Sequence, residues 1–324
     1  MKSSPTLTIV IPTYRRTKLL ALSLDSLFAQ TPRPYLHATI VVDNSKVPDP
    51  QVMLICSRPK YSPMTIQYVH QPDPGVSNAR NLGASSTDSP WIGFIDDDTI
   101  LPSNWVNVAL ACIEQSGADI IGGSYKPFYL SSPPAWFREQ YGSDSLEEQA
   151  GFHIEEKPIF GGNMLWKREL FLKLGGFSPR LGYIGNNEIY GEETELQHRA
   201  VKIGARIRYM PELAVQHCFH RERMRVGWFF SSGFRHGQAK ALIYFGDWRI
   251  QDKRLVTRQI LSQYWSLIAN LFQVIESMFG LPFRSREKYP YWQNYAIECI
   301  RPRIGGLGLS MKMLQLFLSR QGNV

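Results

Sequence analysis

Through residues 1–125, short apolar runs alternate with stretches of helical period. The run 7–11, Leu-Thr-Ile-Val-Ile, predicts a buried strand, and apolar positions recurring at three and four predict a helix over 18–30. Further strands are expected over 38–43, 65–70, 91–96 and 118–125. Helices are expected over 76–86, opened by a turn at Pro74-Gly75, and from about residue 103 to 115. Apolar runs bounded by turns and separated by helices predict parallel crossovers, hence an α/β sheet.

Residues 126–157 break this pattern, with Pro, Ser, aromatic and acidic residues that suit a mobile loop or lid over a site. A strand, a tight glycine pair and a helix follow over 159–177. Another helix is expected over 191–205, then strands over 206–210 and 213–219. From about Val226 the pattern is helical to the end. In the stretch 259–280 apolar residues recur at helical period around a wide face, interrupted by Gln263, Asn270, Gln273 and Glu276. Those polar residues argue against a spanning helix and favour a helix packed in the protein core. Lys253, Arg254 and Arg258 before it and Arg284, Arg286 and Lys288 after it keep an interfacial membrane helix as the alternative.

Composition adds little to the fold but something to compartment and partners. A chain of 324 residues with 44% hydrophobic and 20% charged residues is ordinary for a globular protein and large enough to need no staples. Cys56, Cys112, Cys218 and Cys299 show no pairing motif, so free thiols in a reducing, cytoplasmic setting are expected. The N-terminal stretch reads as a first strand and not as a signal peptide. Charge is uneven: residues 1–220 hold 20 Lys and Arg against 22 Asp and Glu, and residues 221–324 hold 16 against 6. The C-terminal third is therefore expected to meet an anionic surface, a solvated basic face being the plain alternative.

Candidate chemistry concentrates at predicted strand ends, where open parallel sheets bind ligands. Trp91–Ile95 runs directly into Asp96, Asp97 and Asp98, and Asp43 ends the second strand. Carboxylates crowded against an apolar run suggest a hard divalent cation, Mg²⁺ or Mn²⁺, shared with phosphate oxygens. A capped helix start with solvated acids is the alternative. A glycine-rich dinucleotide fingerprint after the first strand and a P-loop are both absent from the sequence.

Six segments, in order, carry a resemblance: Thr-Ile-Val-Ile-Pro-Thr-Tyr-Arg-Arg (8–16), Ile-Val-Val-Asp-Asn-Ser (40–45), Gly-Val-Ser-Asn-Ala-Arg-Asn-Leu-Gly (75–83), Phe-Ile-Asp-Asp-Asp (94–98), Gly-Gly-Asn-Met-Leu-Trp-Lys-Arg-Glu-Leu-Phe (161–171) and Gly-Glu-Glu-Thr-Glu-Leu (191–196). Together they resemble the family 2 glycosyltransferases of GT-A fold over roughly residues 7–220. The resemblance implies a Rossmann-like, mostly parallel sheet flanked by helices in a domain over 1–220. Its nucleotide-sugar part would be about 1–125 and its acceptor part about 126–220, with 221–324 a basic helical extension.

By the same resemblance, Pro12, Thr13 and Tyr14 surround the nucleotide, Asp43 recognises its base, and Arg80 lines the site. For Arg80 a helix-surface cation is the alternative. Asp96 and Asp98 form the ends of an Asp-x-Asp motif for Mn²⁺ or Mg²⁺, with Asp97 as spacer within the nucleotide-sugar site. Gly162 and Asn163 flank the donor sugar, although a plain turn would also use the glycines. Glu192 and Glu193 match a Glu-Asp pair whose second member is the general base, so Glu193 is the expected base with an extra methylene. Acids favouring a helix N-terminus would account for one of the two. His217 is a candidate third metal ligand, and Arg221, Arg223, Arg225 and Trp228 are candidates to meet a diphosphate or an anionic acceptor.

The expected reaction is inverting transfer from a nucleotide-sugar donor, a UDP-sugar foremost, to a glycan or lipid-linked acceptor. Surface polysaccharide or glycoconjugate synthesis in the cytoplasm, at the inner face of a membrane, fits this chemistry, with peripheral membrane contact through the basic C-terminal helices. No nucleic-acid partner is expected. The rivals are a non-catalytic nucleotide-sugar-binding relative and a sugar nucleotidyltransferase, the latter opposed by the lack of glycine in Pro-Thr-Tyr-Arg-Arg-Thr-Lys (12–18).

Overall fold

The computed structural model describes residues 7–30, 36–62, 66–143, 151–152, 158–184, 187–245 and 253–321. They divide into two compact units. The first comprises residues up to Phe128, Glu139–Asn187 and Glu192–Cys218; the second comprises Tyr129–Arg138, Glu188–Gly191 and Phe219–Val324.

The first unit opens with β1 (Leu7–Thr13), α1 (Thr17–Phe28), β2 (Leu36–Asp43), α2 (Pro50–Cys56), β3 (Ile66–His70), α3 (Val76–Ser85) and β4 (Trp91–Ile95). It continues with β5 (Thr99–Ile100), α4 (Trp105–Ser116), β6 (Ile120–Gly122), β7 (Tyr125–Phe128), β8 (Gly151–Phe152), β9 (Asn163–Lys167) and α5 (Arg168–Lys173). Short strands β10 (Gly182–Ile184) and β11 (Asn187–Ile189) precede α6 (Glu192–Lys202), β12 (Ile207–Tyr209) and β13 (Val215–Cys218).

The main sheet runs in the order β3-β2-β1-β4-β9-β6-β12-β8. Strand β1 is parallel to both β2 and β4, so the chain order reverses beside it, which is where an open α/β sheet leaves a crevice at its strand ends. Every residue of β1 and β4 is buried, as expected for strands covered on both faces. On one face Leu20, Leu24 and Leu27 of α1 pack with Leu7, Ile9, Ile11 and Trp105. On the other, Val10, Ile92 and Phe94 pack with Ala79 of α3, Phe171 of α5 and Leu196 of α6.

The expected α/β sheet, mostly parallel, is present. Within it β9 runs antiparallel between β4 and β6, pairing Asn163 with Ile95. That direction brings the start of β9, with its glycine pair, to the end of β4, where a parallel strand would have carried it away. The expected lid is also partly regular structure, since Tyr125–Phe128 pairs with β13, which in turn pairs with β5. Residues 144–150 and 153–157 of that expectation lie outside the described residues.

In the second unit α7 (Val226–Phe245), α8 (Lys253–Gly280), α9 (Trp292–Tyr295) and α10 (Arg301–Gln321) form the helical part, and α10 packs against both α7 and α8. Its segment Tyr129–Arg138 is pinned by rings and polar contacts. Phe137 packs on Phe219 and Phe229, the Asn294 amide donates to Trp136 O at 2.7 Å, and Arg138 pairs with Glu298 at 2.8 Å. The core-helix expectation for residues 259–280 is overturned, because α8 leaves most of its large apolar side chains in solvent. The stretch Ile260–Phe283 has the length and composition to cross a membrane, against the sequence expectation, and almost none of it is buried.

Candidate active site

The three aspartates after β4 each meet a cation, Arg80 for the first and a shared Arg16 for the other two, which explains how a buried strand can end in them. Asp96 Oδ1 accepts from Arg80 Nη2 at 2.7 Å. Asp97 Oδ2 accepts from Thr13 Oγ1 at 2.7 Å, with Arg16 Nη1 3.4 Å from its other oxygen. Asp98 Oδ2 accepts from Arg16 Nη1 at 2.9 Å, and its Oδ1 lies 3.1 Å from His217 Nε2. Asp97 is therefore more than a spacer. Buried and beside Asp98, it is pushed up to about 7 despite the opposing Arg16 charge and Thr13 hydrogen bond.

Arg80 is no helix-surface cation. It is 3% exposed, and its second terminal nitrogen reaches Glu192 Oε1 at 3.0 Å. One guanidinium thus joins the carboxylate at the end of β4 to the first turn of α6. Burial works against its charge, but Asp96 and Glu192 more than offset that, so it stays protonated. Glu193, the next residue of α6, has its pKa raised well above the carboxylate range, first by burial and then by Glu192, with Arg80 opposing. A carboxylate held this way binds a proton more tightly than an exposed one, as a general base must.

The antiparallel β9 supplies the floor. A Cβ on Gly162 would lie 2.7 Å from Asp96 Cγ and 2.7 Å from Phe160 Cε1, so only glycine lets the Asp96 carboxylate sit there. Asn163 is spent on the fold: its amide donates to Leu213 O at 2.6 Å and Ser124 O at 3.3 Å, and its oxygen accepts from Trp105 Nε1 at 3.3 Å. Asp43 is likewise fully buried, accepting from Ser45 N at 3.0 Å, Asp49 N at 2.7 Å and the Tyr68 hydroxyl at 2.7 Å. Burial would raise its pKa, but these donors outweigh it and hold the group below its usual value. Asp43 organises the loop beside Thr13, with which it is in register. Pro12 is buried in β1, whereas Tyr14 is half exposed with the Arg15 guanidinium 5.2 Å from its ring centre.

Sequence reasoning missed two residues. Arg16 bridges Asp97 and Asp98, and it turns back through Arg15, a non-glycine residue at φ 56°. The paired arginines beside an acid-ended sheet were the only signal. Asn44 ties β2 to α3, donating to Gln71 O at 2.8 Å and Asp73 O at 2.7 Å while accepting from Gly75 N at 2.8 Å. No local pattern announces that role.

Asp96, Asp98 and His217 each offer a ligand atom, all within 4.8 Å of one another. Two carboxylates and an imidazole suit a divalent cation of the Mn²⁺ or Mg²⁺ kind, the imidazole leaning toward Mn²⁺. His217 reaches this place because β13 pairs it with Thr99, immediately beyond the triad, and Phe160 and Tyr125 flank its ring at 5.3 and 5.5 Å.

The comparison with known families agrees with this arrangement. The model of glycosyl transferase family 2 matches residues 8–179, over half of the chain. The chain belongs to glycosyl transferase family 2. Among relatives of this glycosyltransferase, a glucosyl-dolichyl phosphate glucuronosyltransferase of Haloferax volcanii is 26% identical over 72% of the chain and 76% of its own length. The succinoglycan biosynthesis protein ExoM of Rhizobium meliloti is 29% identical over 71% of the chain and 72% of its own length. Solved structures show the same GT-A fold. The mannosyltransferase PcManGT of Pyrobaculum calidifontis, in complex with GDP-Man and Mn²⁺, aligns with TM-score 0.53 at 15% identity, over 98% of this chain and 76% of its own. The S. aureus TarS 1-349 complex with UDP-GlcNAc aligns with TM-score 0.53 at 14% identity, over 98% and 92%.

Proposed function

We propose that this glycosyltransferase transfers a sugar, with inversion, from a nucleoside diphosphate donor to a hydroxyl of a glycan or lipid-linked acceptor. The observation that carries the reading is the Asp96–Arg80–Glu192 bridge, which joins an acidic strand end to a carboxylate pair containing one poised base. Glu193 takes the proton of the acceptor hydroxyl as its oxygen attacks the anomeric carbon. The bond from that carbon to the diphosphate breaks, and its electron pair leaves with the nucleoside diphosphate. Glu192, bound by Arg80, lies beside Glu193 and raises its basicity. Mn²⁺ or Mg²⁺, when held by Asp98, Asp96 and His217, supplies neutralisation of the charge that develops on the leaving diphosphate.

Tyr14 is assigned to stack on the nucleotide, Pro12 and Thr13 to shape its pocket, and Asp43 to fix the loop that meets the base. Gly162 leaves room for the donor sugar beside Asp96, with Asn163 holding that strand end. A UDP-sugar is the preferred donor, supported by the neighbour bound to UDP-GlcNAc. The relative named for a dolichyl phosphate-linked sugar supports a lipid-linked acceptor, and the succinoglycan protein supports polysaccharide synthesis. We assign the reaction to the cytoplasm, at the inner face of a membrane. The test is donor hydrolysis and transfer across a panel of nucleotide sugars with Mn²⁺ or Mg²⁺. Glu193→Gln is expected to abolish transfer while keeping nucleotide affinity, and Asp98→Ala to remove the Mn²⁺ dependence of nucleotide binding. Normal turnover by Glu193→Gln would sink the base assignment.

A further inference from the structure

Helix α8 is built inside out. Its packed side carries Ile260, Gln263, Leu267, Asn270, Val274 and Ser277, at alternating spacings of three and four. Every second member of that stripe is polar, and Asn270 Nδ2 lies 3.4 Å from Ser310 Oγ of α10. The opposite side carries Leu261, Tyr264, Trp265, Ile268, Leu271, Phe272, Ile275, Met278 and Phe279, all exposed. Its outermost line, spaced by seven, is wholly aromatic: Trp265, Phe272 and Phe279 are 71%, 67% and 75% exposed. A helix stabilised by water would place these residues the other way round.

We infer that this stripe is the surface by which the chain docks on an anionic lipid bilayer, with α8 lying in the plane of the interface. Charge names the occupant. Arg258 before the stripe and Arg286 and Lys288 after it are exposed, within a C-terminal third of 16 basic and 6 acidic residues. Cations at both ends of one apolar face match lipid headgroups on both sides of a shallowly buried helix. The in-plane orientation follows from the rest of the unit. Lys240 of α7, Gln315 of α10 and Glu276 on the flank of α8 are exposed, so polar groups face solvent away from the aromatic line. A spanning bundle would need apolar surface all round.

A second feature points the same way. Gly237 of α7 sits directly on Gly305 O, and a Cβ there would also lie 2.7 Å from Leu309 N. Backbone-to-backbone contact through small residues is how helices associate where lipid removes the hydrophobic drive.

The test is flotation of the full-length chain with phosphatidylcholine vesicles and with mixed phosphatidylcholine–phosphatidylglycerol vesicles. The wild type is expected to float with the mixed vesicles, less with the neutral ones, and less in high salt. Phe272→Glu with Phe279→Glu is expected to lower partitioning by at least about 100-fold while leaving the melting temperature and nucleotide binding unchanged. Arg286→Gln with Lys288→Gln is expected to reduce the preference for the mixed vesicles. Wild-type protein that stays in the soluble fraction with both vesicles overturns the inference, as does equal flotation of the Glu variant. Light scattering that finds a vesicle-insensitive dimer, split by the Glu pair, overturns it in favour of a second copy.

Discussion

Removing Arg80 tests the bridge that organises the site. Arg80→Met keeps the volume of the buried stem and deletes the guanidinium that reaches both Asp96 Oδ1, at 2.7 Å, and Glu192 Oε1, at 3.0 Å. Breaking a buried ion pair by removing one partner costs about 3–5 kcal/mol. The Asp96 side chain keeps 22% of its surface in water, so the lower end, about 3 kcal/mol, is expected. At about 2–4 °C per kcal/mol that is a fall in melting temperature of roughly 6–12 °C.

The pH dependence separates this from lost packing. Arg80 opposes the rise of the Glu193 pKa, so without it that folded value climbs further above the unfolded one of about 4. Relative stability from such groups is fully present below the unfolded pKa and is lost as pH rises through the folded one. The deficit of the variant is therefore largest at neutral pH and shrinks as pH falls toward about 4. Thermal and urea unfolding of the full chain, with a chelator present so that no cation substitutes for the guanidinium, reads both quantities. A neutral-pH deficit under about 1 kcal/mol, or one that does not change with pH, would show that Arg80 is not the counter-charge of this cluster.

Two further outcomes follow from the same geometry. Gly162→Ala places a Cβ 2.7 Å from Asp96 Cγ and is expected to weaken Mn²⁺-dependent nucleotide binding at least about tenfold, measured by calorimetry, with little change in metal-free binding. Glu192→Gln removes the neighbouring charge that helps raise Glu193 and releases Arg80 to act on it, so the Glu193 pKa falls. Because the base works deprotonated, the acidic limb of the kcat/KM profile is expected to move to lower pH, and a shift the other way would refute the coupling.

Much of the site was legible before any coordinates. An apolar run ending in Asp96–Asp98, Asp43 at a second strand end and a glutamate pair opening a helix are local patterns, each fixed by a strand or helix period. What the pattern lacked was pairing. Arg16 and Arg80 are sequence neighbours of nothing acidic, and Asp97 looked idle because its partner, Thr13, lies 84 residues away. Asn163 looked like a ligand group because glycines precede it, yet packing between strands consumed its amide.

Helix α8 marks the clearest division between the two kinds of information. Its sequence determined that an apolar stripe exists, since period alone sets which side chains share a face. Period is silent on which face turns inward. That was decided by α10, whose close approach selected the narrow stripe ending in Ser277 and left Trp265, Phe272 and Phe279 outside. The family motifs were settled by composition at strand ends; the charge balance among them required the antiparallel β9 and the buried reach of Arg80, which exist only once the sheet has formed.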